Sequence, residues 1–293
     1  MKMNRKNPYG DIGRENYWQT VRRRFLHHRL ACISLVVLAV ICAAAILAPV
    51  IAPYDPDAIA GPFGAPPGAG FLLGTDQIGR DMFSRLLYAT RISLLVGVLA
   101  TAISTAIGVS LGLLGGYFGG WLDIAIMRFT DMVMSFPYIL LVLVAAAIFE
   151  PGLWSIILIL GFVDWPGIAR LVRGNVLSLR ETNFVKSSIV AGMPARHILF
   201  SEILPNTVAP ILVYATLVMA LSMLDEASLS FLGMGVQPPT ASLGNMLSDA
   251  QGYLQSAPWC ALAPGLTIVW LVLGFSLFSE GIRRWTSAAV NFV

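Results

Sequence analysis

The sequence predicts an all-α integral membrane protein with six transmembrane helices and both termini in the cytoplasm. Composition is the first reason: 57% of residues are hydrophobic and 12% charged, with a mean hydropathy of +0.75. A soluble domain is usually about one-quarter charged, so a surface this apolar calls for lipid as its solvent. The second reason is a series of uncharged runs near the roughly 20 residues that cross a bilayer. The third is where the cations fall. With six crossings only Arg80, Arg85 and Arg91 of the 19 Lys and Arg residues face outward; with five, the basic amino-terminal tail and the Arg170–Arg196 cluster face opposite compartments. The positive-inside rule selects six.

Residues 1–29 form a basic cytoplasmic tail carrying Lys2, Arg5, Lys6, Arg14, Arg22, Arg23, Arg24 and Arg29. Residues 30–293 form a single transmembrane domain. The first run, 30–52, exceeds the 7–15 apolar residues of a cleaved signal peptide and follows a long tail, so it reads as a retained signal anchor. An external segment follows, opening on the Pro/Gly-rich PYDPDAIAGPFGAPPGAG, where continuous helix is disfavoured. It continues as LLGTDQIGRDMFSRLLYATR, in which Gly74, Asp76, Gly79, Arg80 and Asp81 predict a tight turn and an acid-capped helix.

The second run, 92–114, carries a small residue at every fourth position: Ala100, Ser104, Gly108, Gly112 and Gly116, with Gly120 beyond. Four-residue spacing keeps these on one helix face, and small residues let helix backbones approach closely in lipid. This predicts a packing seam. The third run is 132–149. The fourth, 153–169, is interrupted by Asp164 and Pro166, and the charge balance alone makes it a crossing. The fifth and sixth runs are 207–224 and 258–279. Between them lies an external segment, roughly 225–257, with a turn at Gln237-Pro238-Pro239.

The stretch Phe184–Asn206, FVKSSIVAGMPARHILFSEILPN, stands between the fourth and fifth runs. Gly192, Pro194 and Pro205 punctuate it as helix, turn, helix, then membrane. Charge bookkeeping puts it in the cytoplasm, within reach of a partner.

Several chemistries are disfavoured. The lysines are Lys2, Lys6 and Lys186, none in a GxxxxGK[ST] loop, so this chain does not cradle nucleotide phosphates in the P-loop manner. There is no HExxH motif or nucleophile elbow, and His27, His28 and His197 do not group as metal ligands. Cys32, Cys42 and Cys260 have no paired spacing. No catalytic, metal or cofactor site is expected, and the basic residues flank apolar runs rather than forming a nucleic-acid-binding face. Asp131, Asp164, Asp225 and Glu226 lie near membrane depth without a partner charge at helical spacing. An ion-coupled secondary transporter is the alternative, but it calls for mid-membrane ionisable residues and related halves.

Taken together, these segments resemble the permease subunits of ATP-binding cassette importers of the dipeptide, oligopeptide and nickel class. The superfamily's cytoplasmic coupling pattern is EAA, three residues, Gly, and a later I-L-P; here it reads Lys186-Ser187-Ser188, then Ile189-Val190-Ala191, Gly192, and Ile203-Leu204-Pro205. LGTDQIGRD (73–81), GGYFGGWLD (115–123), LSFLGMGVQPP (229–239) and SLGNMLSDA (242–250) are similar to segments of this class, notably of its second permease subunit. The resemblance implies an ATPase-coupling segment containing Lys186, Ser187, Ser188, Gly192, Pro194, Arg196 and Pro205. It also implies a bacterial inner-membrane location, a homologous permease partner, two ATPase subunits that bind the ATP, and an external solute-binding protein. Lys186 stands where the pattern has an acid, with serines for its alanines.

Overall fold

Hydrocarbon offers no partner to a bare N–H or C=O, so each apolar run closes its hydrogen bonds internally as helix. The computed structural model describes residues 29–68 and 70–290; the basic tail, up to residue 28, lies outside them. Among the described residues the structure is all α, with isolated β-bridges in the segment between residues 59 and 81.

Helix α1 (Arg29–Ile46) breaks at Leu47 and resumes as the short α2 (Ala48–Ile51), with Pro49 in its first turn. The long α3 (Met82–Phe118) follows, then α4 (Gly120–Ser135) and α5 (Tyr138–Ile148). Next come α6 (Leu153–Val163), α7 (Trp165–Arg180), α8 (Asn183–Val190) and the single turn α9 (Ala195–His197). A π-helical turn, Ile198–Ile203, leads into α10 (Leu204–Phe231). Helix α11 (Leu243–Ala250) and α12 (Trp259–Val290) complete the chain.

Four of these helical stretches are long and apolar enough to cross a bilayer: Met82–Phe118, Leu153–Arg180, Ala195–Phe231 and Trp259–Arg283. The pair α4–α5 passes the same test but bends by 87°, making five if it counts as one crossing. Cys32–Ile46 is apolar and shorter. Two expectations change in detail. The run 132–149 is broken at Pro137, which cannot donate into the preceding turn and disfavours helical backbone at Phe136. The interrupted run 153–169 instead extends as helix to Arg180, stepping only at Asp164, because Pro166 falls in the first turn of α7 where its missing N–H costs nothing.

Helix α3 is the hub, touching α1, α4, α6, α7 and α10. Three apolar clusters sit around it. One joins Leu38, Met82, Met223, Met246, Leu271 and Phe275; the second joins Val96, Ala100, Val142, Ile156, Ile157 and Leu160. The third joins Leu113, Ile168, Val172, Val185, Ile198 and Ile211, and so ties the stretch after Arg180 to the main bundle.

Candidate functional site

The punctuation of Phe184–Asn206 is visible as backbone geometry. Helix α8 ends at Val190, and Gly192 turns the chain at φ +74°, a conformation costly for any residue with a Cβ. Pro194 caps α9, and Pro205 sits in the first turn of α10. No atom lies within 4 Å of a Cβ built on Gly192, so the corner of the turn faces open space. The two limbs are cross-tied: the Ser188 hydroxyl donates to Glu202 Oε1 at 2.6 Å, and Ser187 bonds back to the Asn183 carbonyl at 2.8 Å. Lys186 pairs with Glu181 at 2.9 Å, which holds the Glu181 carboxyl below its ordinary range through that hydrogen bond and charge. Val185, Ile198, Leu199 and Ile203 point inward, while Val190, Met193 and Phe200 are exposed and Arg196 stands in solvent.

The small-residue face of α3 lies against α7. A Cβ on Gly108 would come within 2.6 Å of Ile168, on Gly112 within 2.7 Å of Val172, and on Gly116 within 2.8 Å of Val176. Ala100 and Ser104 are fully buried on the same stripe. The seam's neighbour is therefore another helix of this chain. Gly120 is not on it: α3 stops at Phe118, and Gly120 opens α4 at φ +59° with no atom near its Cβ position.

In the segment that precedes α3, Asp76 is the knot. Its Oδ1 accepts from the backbone N–H of Ile78 and Arg80, and its Oδ2 accepts from Arg80 Nε at 2.6 Å, with Arg85 Nε 3.7 Å away. Gly79 turns at φ +89° with the Gly61 carbonyl 2.3 Å from where a Cβ would stand. Asp81 caps α3 by accepting from the Ser84 N–H at 2.8 Å and its hydroxyl at 2.7 Å. Trp259 lies over Gly74.

Folding also assembles polar groups that are far apart in sequence. At the α4–α5 bend, a cleft of about 200 Å³ is lined by Met134, Phe136, Tyr138, Asp164, Gly167 and Tyr214, with apolar neighbours. The Tyr138 hydroxyl donates to Asp225 at 2.7 Å and also stands beside Asp164. Asp164 accepts from the Ser222 hydroxyl at 3.1 Å. Nearby, Arg173 grips Asp123 with two bonds of 2.5 and 2.6 Å, and Arg170 bonds Asp131 at 2.7 Å, clamping α7 to α4. Glu226, fully buried one position along from Asp225, accepts from Ser93 of α3 at 2.7 Å and Ser230 at 2.9 Å. Helical spacing within one run does not show these groupings, since each joins different helices. The step at Asp164 and the Pro137 break were the available signals.

The sequence is similar to that of known proteins over nearly its whole length. Residues 108–291 match the family described as the binding-protein-dependent transport system inner membrane component, and residues 16–67 match the N-terminal TM domain of oligopeptide transport permease C. The chain is 45% identical over 276 residues to the dipeptide transport system permease protein DppC of Escherichia coli K12, covering 92% of this chain and 91% of that protein. It is 41% identical to the protein of the same name from Haemophilus influenzae, over 88% and 90% of the two chains, and 39% identical to that of Alkalihalophilus pseudofirmus, over 91% and 88%. The chain thus belongs to the binding-protein-dependent transport system inner membrane components, and is a permease subunit of a bacterial ATP-binding cassette importer rather than an enzyme.

Proposed function

We propose that the importer carries dipeptides or oligopeptides, that this chain forms half of its path, and that Phe184–Asn206 receives the work of ATP hydrolysis. On this reading the chain crosses the membrane six times with both termini in the cytoplasm, and α1–α2 and the bent α4–α5 pair each make a crossing. A homologous permease completes the path and two ATPase subunits bind the ATP, so this chain carries no cofactor of its own. An external solute-binding protein meets the opposite face. The peptide substrate is supported by the names of the relatives that match nearly end to end.

The observation that carries the coupling role is the exposed turn at Gly192 joined to a long membrane-crossing helical stretch. Ala195–Phe231 continues as 37 helical residues through the π-helical turn at Ile198–Ile203 and past Pro210, so a push at the turn is delivered into a membrane-crossing element. Exposed Val190, Met193 and Phe200 beside Arg196 supply an apolar and basic surface suited to docking. Motion is imposed only if the docked ATPase contacts this surface differently in its two nucleotide states.

The test exploits the open space at Gly192. A Cβ there has no atom within 4 Å, so Gly192→Trp is expected to crowd a docked partner, at a backbone cost of about 1–2 kcal/mol. Gly192→Trp and Arg196→Glu are expected to leave the permease folded in the membrane but to abolish ATP hydrolysis stimulated by the loaded binding protein. Unaltered transport in both variants would sink the coupling assignment.

A further inference from the structure

The cleft at the α4–α5 bend does not belong to the coupling surface or to the seam. It is open because Pro137 turns the chain by 87°, leaving α5 unable to fill the space between α4 and the step at Asp164. Its walls are mostly apolar and aromatic: Met134, Phe136, Tyr138 and Tyr214, with Gly167 beneath Tyr214. A Cβ on Gly167 would come within 2.2 Å of the Tyr214 hydroxyl, so the absence of a side chain there is what seats that ring in the wall.

Charge decides what the cleft can hold. Asp164 lines it, and Asp225 lies behind Tyr138, whose hydroxyl is given to Asp225. A tyrosine has one proton to donate, so the polar support of Asp164 rests on the Ser222 hydroxyl. Among the described residues no Lys, Arg or His lies in ion-pair reach of either carboxylate. The guanidinium whose charge extends to Tyr214, that of Arg170, is bonded to Asp131. A carboxylate at membrane depth relieves its cost by holding a proton or by meeting a cation, and among the described residues this chain offers no cation here.

We propose that the cleft is a subsite for the primary ammonium group of a peptide in transit, bonded by Asp164 and faced by the rings of Phe136, Tyr138 and Tyr214. This rests on the peptide-import reading above and names the contact that reading lacks. An inorganic cation would need several oxygen ligands, whereas aromatic faces attract organic cations. Size agrees with a subsite: about 200 Å³ is below the roughly 300–1,000 Å³ of whole-ligand pockets. The cleft holds one end of a peptide, with the remainder against the partner permease.

The assembled transporter, without its binding protein, is placed in nanodiscs of phosphatidylglycerol, which has no amine headgroup. Contact with dialanine and with N-acetyl-dialanine is read by saturation-transfer NMR. Dialanine is expected to bind about tenfold or more tightly than its acetylated form, the scale of one hydrogen bond to a charged group. Asp164→Asn abolishes that preference and Asp164→Glu restores most of it. Equal contact by the two peptides overturns the proposal. So does an Asp164→Asn complex that still discriminates, or loss of the dialanine signal when phosphatidylethanolamine is included, which would give the site to a lipid amine. The peptide comparison uses the unmutated complex, so it stands even where Asp164→Asn fails to assemble. Import of dialanine by complete proteoliposomes separates the two readings: import without ammonium discrimination sinks the subsite alone, and no import sinks both.

Discussion

Gly112 has no room for a side chain. Its Cβ position lies 2.7 Å from the Ala169 carbonyl and 2.7 Å from Val172, both parts of the facing helix. Gly174, on that facing helix, has no atom within 4 Å of the same position. The two glycines therefore respond in opposite directions. Gly112→Val forces α3 and α7 apart and is expected to destabilise the permease by about 1–3 kcal/mol, the usual cost of overpacking. Gly174→Ala is expected to leave stability unchanged or raise it by up to about 1 kcal/mol, because glycine is a poor helix residue. Thermal denaturation of the two variants in the same detergent decides it; equal behaviour would mean the seam is not close-packed. The stripe of small residues was legible as a period of four, since sterics alone fix that face. Its partner was not, because a period says which side of a helix is smooth and nothing about what lies on it. The knot at Asp76 shows the same division. Gly79 and Asp81 announce a turn and a cap locally, whereas the reach of Arg85 toward Asp57, at 3.6 Å, depends on a fold of the preceding loop.

Among the elements, the loop after α10 is tied to the bundle by a relay through Ser230, beside the bonds that Gln237 and Asn245 make to its carbonyls. Glu226 accepts from Ser230, and the Ser230 oxygen in turn accepts from the Val236 N–H at 3.0 Å. Gly244 then approaches so closely that a Cβ would stand 2.0 Å from the Ala227 carbonyl, which seats α11 against α10. Ser230→Ala removes both bonds and leaves a buried acceptor and a buried donor short of partners, at a cost of about 1–3 kcal/mol each. The expected outcome is faster proteolysis within residues 232–242 with the rest of the bundle intact. Unchanged cleavage would show that the Gly244 packing and the Gln237 and Asn245 bonds hold the loop without the relay. Hydropathy placed the end of the fifth run at 224, because a span is counted until the first charge. The helix runs on to Phe231 because Glu226 is bonded by two serines, a circumstance that involves α3 and cannot be read from the run itself. The bend at Pro137 is the converse case: the residue responsible was in plain view inside an apolar run whose composition hid it.

For the whole molecule, orientation is the property on which the functional reading depends. On the proposed reading, the positive-inside rule puts the 170–196 segment inside and the Asp57–Arg91 network outside. In a background with Cys32, Cys42 and Cys260 replaced by Ala, Asn183→Cys is expected to react with a membrane-impermeant thiol reagent only after cells are opened. Thr240→Cys is expected to react in intact cells. The reverse pattern would turn the molecule over and remove the coupling assignment with it. The class of fold was legible because composition and charge asymmetry are properties of the entire chain. The count of crossings is harder to read, since α1–α2 and α4–α5 spread their apolar length over two pieces.

The helical stretch from Ala195 to Phe231 continues through the π-helical turn at Ile198–Ile203 and past Pro210, and its α10 part alone, Leu204–Phe231, is about 42 Å long at 1.5 Å per residue. The Gly192 turn adjoins one end, and the Ser230–Val236 relay grips the other. On the proposed reading these are the faces seen by the ATPases and by the external binding protein, so the two partners act on a single body. Thermodynamics then makes their influence symmetric. If a loaded binding protein strengthens the hold of the ATPases on nucleotide by some factor, nucleotide must strengthen the hold on the binding protein by the same factor. A transporter built around such a rod cannot sense its cargo from outside without also announcing its energetic state there.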